Sequence, residues 1–379
     1  LLCAMNHGVG GDLDFDECMG RQFADNFCIL ARFEGEKALV QRLDLWRNRC
    51  IEYIASEGSV WIPHTVEVGV FIIDDVNIPL PQMIDRAKLS LTEAACSLSN
   101  KMRYAIYDER VRRTLLREKQ LEDRMEEALA KGEFEVYLQP KYHTQSEVIG
   151  GAEALVRWKD PKEGMIYPDE FIPLFEKNGF VTQIDLFVFE QVCRTLKRWI
   201  ENGLPPIKIS VNCSRTHLKA PNFLEEYRRI VAKYNLPVNV LEIELTESAV
   251  FEDAQSLSQI IQEIHSMGFG CSMDDFGSGY SSLNLIREIP VDTLKIDKIF
   301  FQAGSSDFER TESVVGSIIS MAEALHMSTI AEGVEERKQV DMLKRLKCDY
   351  IQGYYFARPM PIHEFETLTF GAFDEKDIQ

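Results

Sequence analysis

The stretch Leu241–Gly277, LEIELTESAVFEDAQSLSQIIQEIHSMGFGCSMDDFG, decides the fold. It contains a short apolar run ending in polar residues (LEIELTES), a helix-length segment (DAQSLSQIIQEIHSMG) and a second short run ending in two adjacent aspartates (GCSMDDFG). Read outward, the same unit recurs about eight times after Gly132: FEVYLQPK, GGAEALVRW, IKISVNCS, LEIELTES, GCSMDDFG, TLKIDKIF, STIAEGVE and YIQGYYFARP. Between most of these runs lie helix-length segments such as RTESVVGSIISMAEALH. Strands alternating with helices imply parallel strands, and eight of them predict a closed (β/α)8 barrel of TIM type, an α/β fold.

In such a barrel the residues at the carboxyl ends of the strands converge on one mouth. Gln139, Glu153, Asn212, Glu244, Asp274, Asp275, Lys295, Glu332 and Gln352 each lie at or just beyond an apolar run. One such residue is ordinarily a solvated strand end. Nine of them, five being carboxylates, predict a site.

Length and composition agree with this organisation. A chain of 379 residues predicts about two domains, and its content of 45% hydrophobic and 27% charged residues is that of a globular protein. Asp108–Ala130, DERVRRTLLREKQLEDRMEEALA, lacks Gly and Pro and spaces its apolar residues as an amphipathic helix does. It predicts a linker helix over residues 108–130, between a first domain over 1–107 and the barrel over 131–379.

Charge and cysteine usage exclude several classes. The net charge of −19, without a basic block, argues against duplex DNA or RNA as a partner. Nine scattered cysteines without a CxxC pair predict reduced thiols and a cytoplasmic location. The seven histidines include no HExxH, so the common zinc hydrolases are excluded. No apolar run reaches the roughly 18 residues of a membrane span, and no signal peptide is visible. The opening LLCAMNHG lacks an initiator Met, so the sequence reads as a fragment of a longer protein, upstream of which a sensor or membrane anchor would fit.

Carboxylates with an Asn carboxamide are hard oxygen donors, which suit Mg²⁺ or Mn²⁺. Two adjacent aspartates could bridge a pair of ions about 3.5 to 4 Å apart, the spacing used for displacement at phosphorus. Lys295 and Arg157 would then meet a phosphate or orient a hydroxide. These residues predict a metal-dependent phosphoryl hydrolase. The DDFG tetrapeptide resembles a kinase metal motif, but the kinase Gly-rich loop, strand lysine and HRDxxxxN loop are missing. A serine hydrolase would need GxSxG, an order that GSGYSS does not have.

The motif AEALVRW (Ala152–Trp158), followed in order by SVN, ELTE, DDFGSGYSSL, LKID, AEGVE and QGYYFARP, resembles the bacterial EAL domain from about Leu121 onward. That family hydrolyses cyclic di-GMP to linear pGpG. The resemblance implies that Glu153, Asn212, Glu244 and Asp274 hold a first metal, and that Asp275 and Glu332 serve a second with Asp274 shared. It implies that Lys295 orients the attacking water, Arg157 binds a substrate phosphate, and Gln139 and Gln352 contact substrate. Glu247 is similar to the glutamate steadying the loop after the paired aspartates; Glu335 also matches a site position. GSGYSS, by itself a phosphate-cradling pattern, then resembles a mobile loop that couples metal binding to pairing as a homodimer. No catalytic position departs from the pattern, which favours hydrolysis over its alternative, a cyclic di-GMP receptor with little turnover. Taken singly, Asp297 and Glu335 read as strand-end or helix-start residues, and Cys213 and Cys271 as packed thiols.

The first domain is similar to the back part of a GGDEF domain, an α+β fold, through GRQFADNFCILARF, VEVGVFIIDD and MIDRAKLSLTEAA. Phe23, Ala24 and Asn26 stand where that family places its phosphate-approaching glycines and acidic metal ligand, so cyclase activity is not expected. DFDE, Asp14–Glu17, replaces the RxxD site that captures an anionic dinucleotide. The domain is expected to be truncated and degenerate, a scaffold or dimer contact rather than a nucleotide-binding regulator.

Overall fold

The structure is a computed structural model that describes residues 9–23, 26–56, 67–96, 103–218, 223–247, 254–277, 283–301 and 308–371. Packing divides it into two compact units, Leu1–Gln120 and Leu121–Gln379.

The first unit contains an antiparallel pair, β1 (Cys18–Phe23) and β2 (Asn26–Leu30), and a parallel pair, β3 (Glu67–Val70) and β4 (Arg103–Ile106). Helices α1 (Glu36–Ser56), α2 (Leu80–Cys96) and α3 (Glu109–Glu122) complete the elements, the last running past the unit's end. Its buried apolar centre among the described residues is small: Val9, Leu43 and Trp46. Polar ties supplement it. The Trp46 indole donates to Asp12, and Arg42 binds both Asp12 and the buried Glu17. Glu17, the last acid of DFDE, is therefore a structural partner, and Arg42 together with backbone N–H groups holds its carboxyl down at about 2 against burial. Of FADNF, Ala24 and Asp25 lie outside the described residues.

The expected single helix over residues 108–130 is two. After α3 the chain turns at Asp123–Arg124 before α4 (Met125–Lys131) begins. Arg124 explains the break: its guanidinium pairs with Asp160 and, at 3.0 Å, Glu163, and lies over the Trp158 ring. The helix α4 stops at Gly132, whose φ of +74° is readily available to glycine.

The second unit is a closed eight-stranded barrel. In order around it stand β5 (Phe134–His143), β6 (Ile149–Asp160), β8 (Lys208–Cys213), β9 (Leu241–Thr246), β10 (Gly270–Phe276), β11 (Thr293–Ile296), β12 (Ser328–Ala331) and β13 (Tyr350–Ile351), with β13 closing on β5. Two short strands, β7 (Gly164–Ile166) and β14 (Met360–Pro361), extend β6 and β5 at the rim of the sheet. Helices α5 (Pro168–Asn178), α6 (Val181–Glu201), α7 (Phe223–Tyr234), α8 (Ala254–Ser266), α9 (Leu283–Glu288), α10 (Phe308–Ala324) and α11 (Arg337–Arg345) occupy the crossovers, and α12 (Ile362–Phe370) ends the described chain.

Seven strands are parallel as expected, but β5 is not. It runs antiparallel to both β6 and β13. The reason is the connection: residues 144–148 between β5 and β6 form a hairpin, far short of the dozen or so residues a parallel crossover needs. Consequently the carboxyl end of β5 points away from the mouth, and Gln139, paired with Glu153, faces the mouth from mid-strand.

Against β5 and β6 the rings of Phe134, Trp158, Phe171 and Phe175 form one buried cluster, some pairs tilted (Phe134–Trp158) and some edge to face (Phe134–Phe171, Trp158–Phe171). Trp158→Ala is expected to lower barrel stability by about 3–5 kcal/mol, because the cavity adds to the lost transfer energy. Urea unfolding followed by tryptophan-independent far-UV dichroism measures this; an unchanged midpoint would contradict the packing.

Candidate active site

The barrel brings Glu153 on β6, Asn212 on β8, Glu244 on β9, Asp274 on β10 and Lys295 on β11 to one mouth, with Glu332 just after β12 and Gln352 just after β13. Lys295 is the centre. Its ammonium, fully buried, lies 2.7 Å from Glu244 Oε2, 2.7 Å from Glu332 Oε1, 3.0 Å from Asp274 Oδ1 and 3.4 Å from Glu153 Oε2. Glu153 is held from its other sides: Asn212 Nδ2 donates to Oε1 at 3.0 Å and Gln352 Nε2 to Oε2 at 2.6 Å. Gln352 also donates to Gln139 Oε1 at 3.0 Å, which ties the two predicted substrate residues together.

Adjacent strand residues normally face opposite sides of a sheet, so Asp274 and Asp275 should diverge. They do not, because the β10–β11 register slips between Met273 and Phe276, and Asp275 takes a left-handed backbone with φ of +58°. A bulge of this kind re-aims side chains. It places carboxylate oxygens of Asp274, Asp275 and Glu332 within 4.8 Å of one another, next to a second group formed by Glu153, Glu244 and Asp274. Asp274 belongs to both.

Electrostatics follow from this crowding. Burial raises Glu153, with Glu244 beside it adding to the effect, and burial raises Glu332 well above the usual carboxylate range. Burial, then Asp274 and Asp297, push Asp275 up to about 6. Burial disfavours the Glu244 carboxylate as well, but Lys141 and Lys295 outweigh it and hold that group at about 2. For Lys295 burial works against the ammonium, and Asp274, Glu153, Glu244 and Glu332 together raise it.

Lys141 is the residue that sequence reading passes over. Its ammonium donates to Ser210 Oγ at 2.6 Å and Glu244 Oε1 at 2.8 Å. The available signal was its spacing: two residues beyond Gln139 on one strand, it shares the inward face.

Five carboxylates against two buried ammonium groups leave three formal negative charges in a largely buried pocket. The raised Glu153, Glu332 and Asp275 carboxyls are shifted in the direction that eases this excess, toward holding protons. Hard oxygen donors, a charge deficit and two overlapping acidic groups fit divalent cations, which would take the place of those protons.

The remaining predicted residues stand around this centre. Arg157, four residues beyond Glu153 on β6, is half-buried and lies 5.7 Å from the centroid of the Tyr137 ring; burial lowers its guanidinium. Glu247 is buried and its Oε2 accepts from the Gly277 N–H at 2.8 Å. Gly277 has φ of +96°, and a Cβ there would meet the Phe300 ring at 2.3 Å, so that anchor requires glycine. Of GSGYSS, Ser278–Ser282 lie outside the described residues. Asp297 caps the 3-10 turn Lys298–Phe300 by accepting from the Ile299 N–H, and the Glu335 N–H donates to Gln339 at the entry of α11. Cys213 and Cys271 are buried thiols raised by burial. Cys213 neighbours Asp185 and His217, where Asp185 Oδ2 accepts from the Ser214 N–H and secures the turn after Asn212.

Asp275 gives a test of the charge deficit without any ligand. Its pKa moves from 3.8 to about 6, so between those values the folded state binds the proton more tightly than the unfolded chain, and ionisation above about 6 weakens the fold. Asp275→Asn, whose side chain also tolerates the left-handed backbone, is expected to raise the Tm of the metal-free chain at pH 8 and leave it nearly unchanged at pH 4. A calorimetric shift of equal size at both pH values would sink this reading.

Comparison with known proteins agrees with the geometry. The model of the EAL domain family matches residues 122–359, more than half of the chain. The chain is 31% identical over 373 residues to the cyclic di-GMP phosphodiesterase NbdA of Pseudomonas aeruginosa, covering 97% of this chain and 46% of that protein. It is 27% identical over 357 residues to the cyclic di-GMP phosphodiesterase PdeR of Escherichia coli, covering 93% and 53%. This chain thus spans about half the length of the curated relatives it matches. Among solved structures, the PaMucR phosphodiesterase in complex with c-di-GMP aligns with a TM-score of 0.62 at 34% identity, over 65% of this chain and 99% of that one. On the barrel, the residues at its mouth and these matches, the chain belongs to the EAL domain family.

Proposed function

We propose that the barrel hydrolyses cyclic di-GMP to linear pGpG with the help of two divalent cations, Mg²⁺ or Mn²⁺. The observation that carries this reading is the pocket around Lys295, where a largely buried carboxylate excess calls for divalent charge. Relatives named as cyclic di-GMP phosphodiesterases supply the substrate.

Glu153, Asn212, Glu244 and Asp274 would hold one cation, and Asp274, Asp275 and Glu332 the other. Bound there, such ions lower the pKa of water and offset charge on phosphoryl oxygens. The protein's own groups do the rest. Lys295 keeps four carboxylates in place, and an N–H released as bound cations draw those carboxylates away would orient the attacking water. Arg157 takes a non-bridging phosphate oxygen through its planar fork of donors. Gln139 and Gln352, already linked at 3.0 Å, present carboxamides to the substrate. Water oxygen bonds to phosphorus, the bond from phosphorus to the 3′ oxygen breaks, and that oxygen takes up a proton, leaving a 5′-phosphorylated linear dinucleotide.

We further propose that residues 1–107 are a degenerate GGDEF-like domain, 108–130 a linker and 131–379 the catalytic domain. NbdA and PdeR each align over more than nine-tenths of this chain, which supports a shared two-part arrangement. A cytoplasmic setting accords with Cys18, Cys28, Cys193, Cys213, Cys271 and Cys348, none of which is in a disulfide. Among the described residues no helix is long and apolar enough to cross a membrane. Pairing as a homodimer through the segment anchored by Glu247 is part of the same reading.

The test is incubation of the purified chain with cyclic di-GMP and Mg²⁺ or Mn²⁺, with chromatography of the products. Appearance of pGpG, abolished by a chelator and restored by Mn²⁺, is expected. Glu153→Ala and Asp274→Ala should reduce turnover to background, each removing an oxygen donor from the pocket. Binding without product would indicate a receptor, and neither binding nor product would indicate another substrate.

A further inference from the structure

Lys141 belongs to no motif that defines the site, yet it is buried inside the barrel directly behind it. The antiparallel course of β5 puts it there: beyond Gln139 the strand descends from the mouth, and Lys141 pairs with Gly151 on β6. Its ammonium has three N–H donors and three oxygen neighbours. These are Ser210 Oγ at 2.6 Å, Glu244 Oε1 at 2.8 Å and Glu242 Oε1 at 3.8 Å. Ser210 is itself tied to the Ala152 carbonyl, and Glu242 has a second partner in Lys208 at 3.4 Å. Lys141 therefore leans toward Glu244, whose other oxygen is taken by Lys295 at 2.7 Å.

We propose that Lys141 is a positioning residue for cation binding, pinning Glu244 Oε1 so that Oε2 alone is presented to the mouth. This rests on the two-cation phosphodiesterase reading. Partners behind a metal ligand fix its orientation, and their loss costs metal affinity. A purely electrostatic role predicts the opposite sign, because removing an ammonium near a cation site would tighten cation binding.

Lys141→Met alone would leave Glu242 and Glu244 facing each other without their shared cation and could prevent folding. The double variant Lys141→Met/Glu242→Gln removes one positive and one negative group, so net charge is kept and only the hold on Glu244 is lost. Mn²⁺ binding is read from the free-ion signal in electron paramagnetic resonance, with folding followed by thermal unfolding. The Mn²⁺ dissociation constant is expected to rise about 10- to 100-fold, while KM for cyclic di-GMP at saturating Mn²⁺ stays within about twofold. Should the double variant not fold, Ser210→Ala, which keeps every charge and removes the hydroxyl that locates Lys141, must weaken Mn²⁺ binding in the same direction. Unchanged or tighter Mn²⁺ binding in the folded variant overturns the positioning role alone. Absence of Mn²⁺ binding by the unaltered chain overturns the two-cation site and this role with it.

Discussion

The site depends on one buried ammonium group. Lys295 is fully enclosed on β11 and reaches four carboxylates carried by four different segments of the barrel. Burying a charge is costly unless partners compensate it, and here the partners overcompensate. The surplus is what makes the mouth chemically useful. Burial and mutual repulsion push Glu153 and Glu332 toward holding protons in the metal-free chain, and a divalent ion bound there would offset the same surplus.

Two departures from regular barrel architecture build this arrangement. The hairpin after β5 reverses the first strand, which sends Gln139 to the mouth from mid-strand and carries Lys141 beneath it. The slip in β10, with Asp275 in the left-handed region, turns two consecutive aspartates to one side. A backbone of this kind costs about 1 kcal/mol or more in a non-glycine residue. Function concentrates where local structure is least regular, while the aromatic cluster from Phe134 to Phe175 follows ordinary packing.

The eight runs were legible because apolar segments with polar residues repeat at regular intervals, and so were the carboxylates, since the five fall on four of these runs, with Asp274 and Asp275 sharing one. Strand direction was not. It depends on connection length, and five residues between His143 and Ile149 exclude a crossover only when the two runs' boundaries are known. The bend at Arg124 was hidden for a related reason: helical spacing continues through it, and the cause, an ion pair with Asp160, is a tertiary contact. Lys141 escaped because a lysine near a strand end ordinarily reads as solvated, whereas its depth follows from the reversed strand. In the first unit the opposite holds, since motif order is readable there but the described elements form only two small sheets.

A crystal of the barrel soaked in Mn²⁺ at pH 8 and measured for anomalous scattering tests the central claim most directly. Two peaks are predicted inside the mouth, one among Glu153, Asn212, Glu244 and Asp274 and the other against Asp274, Asp275 and Glu332. Scattering absent from the mouth, or confined to surface carboxylates, would contradict a pocket built around Lys295 to hold divalent cations.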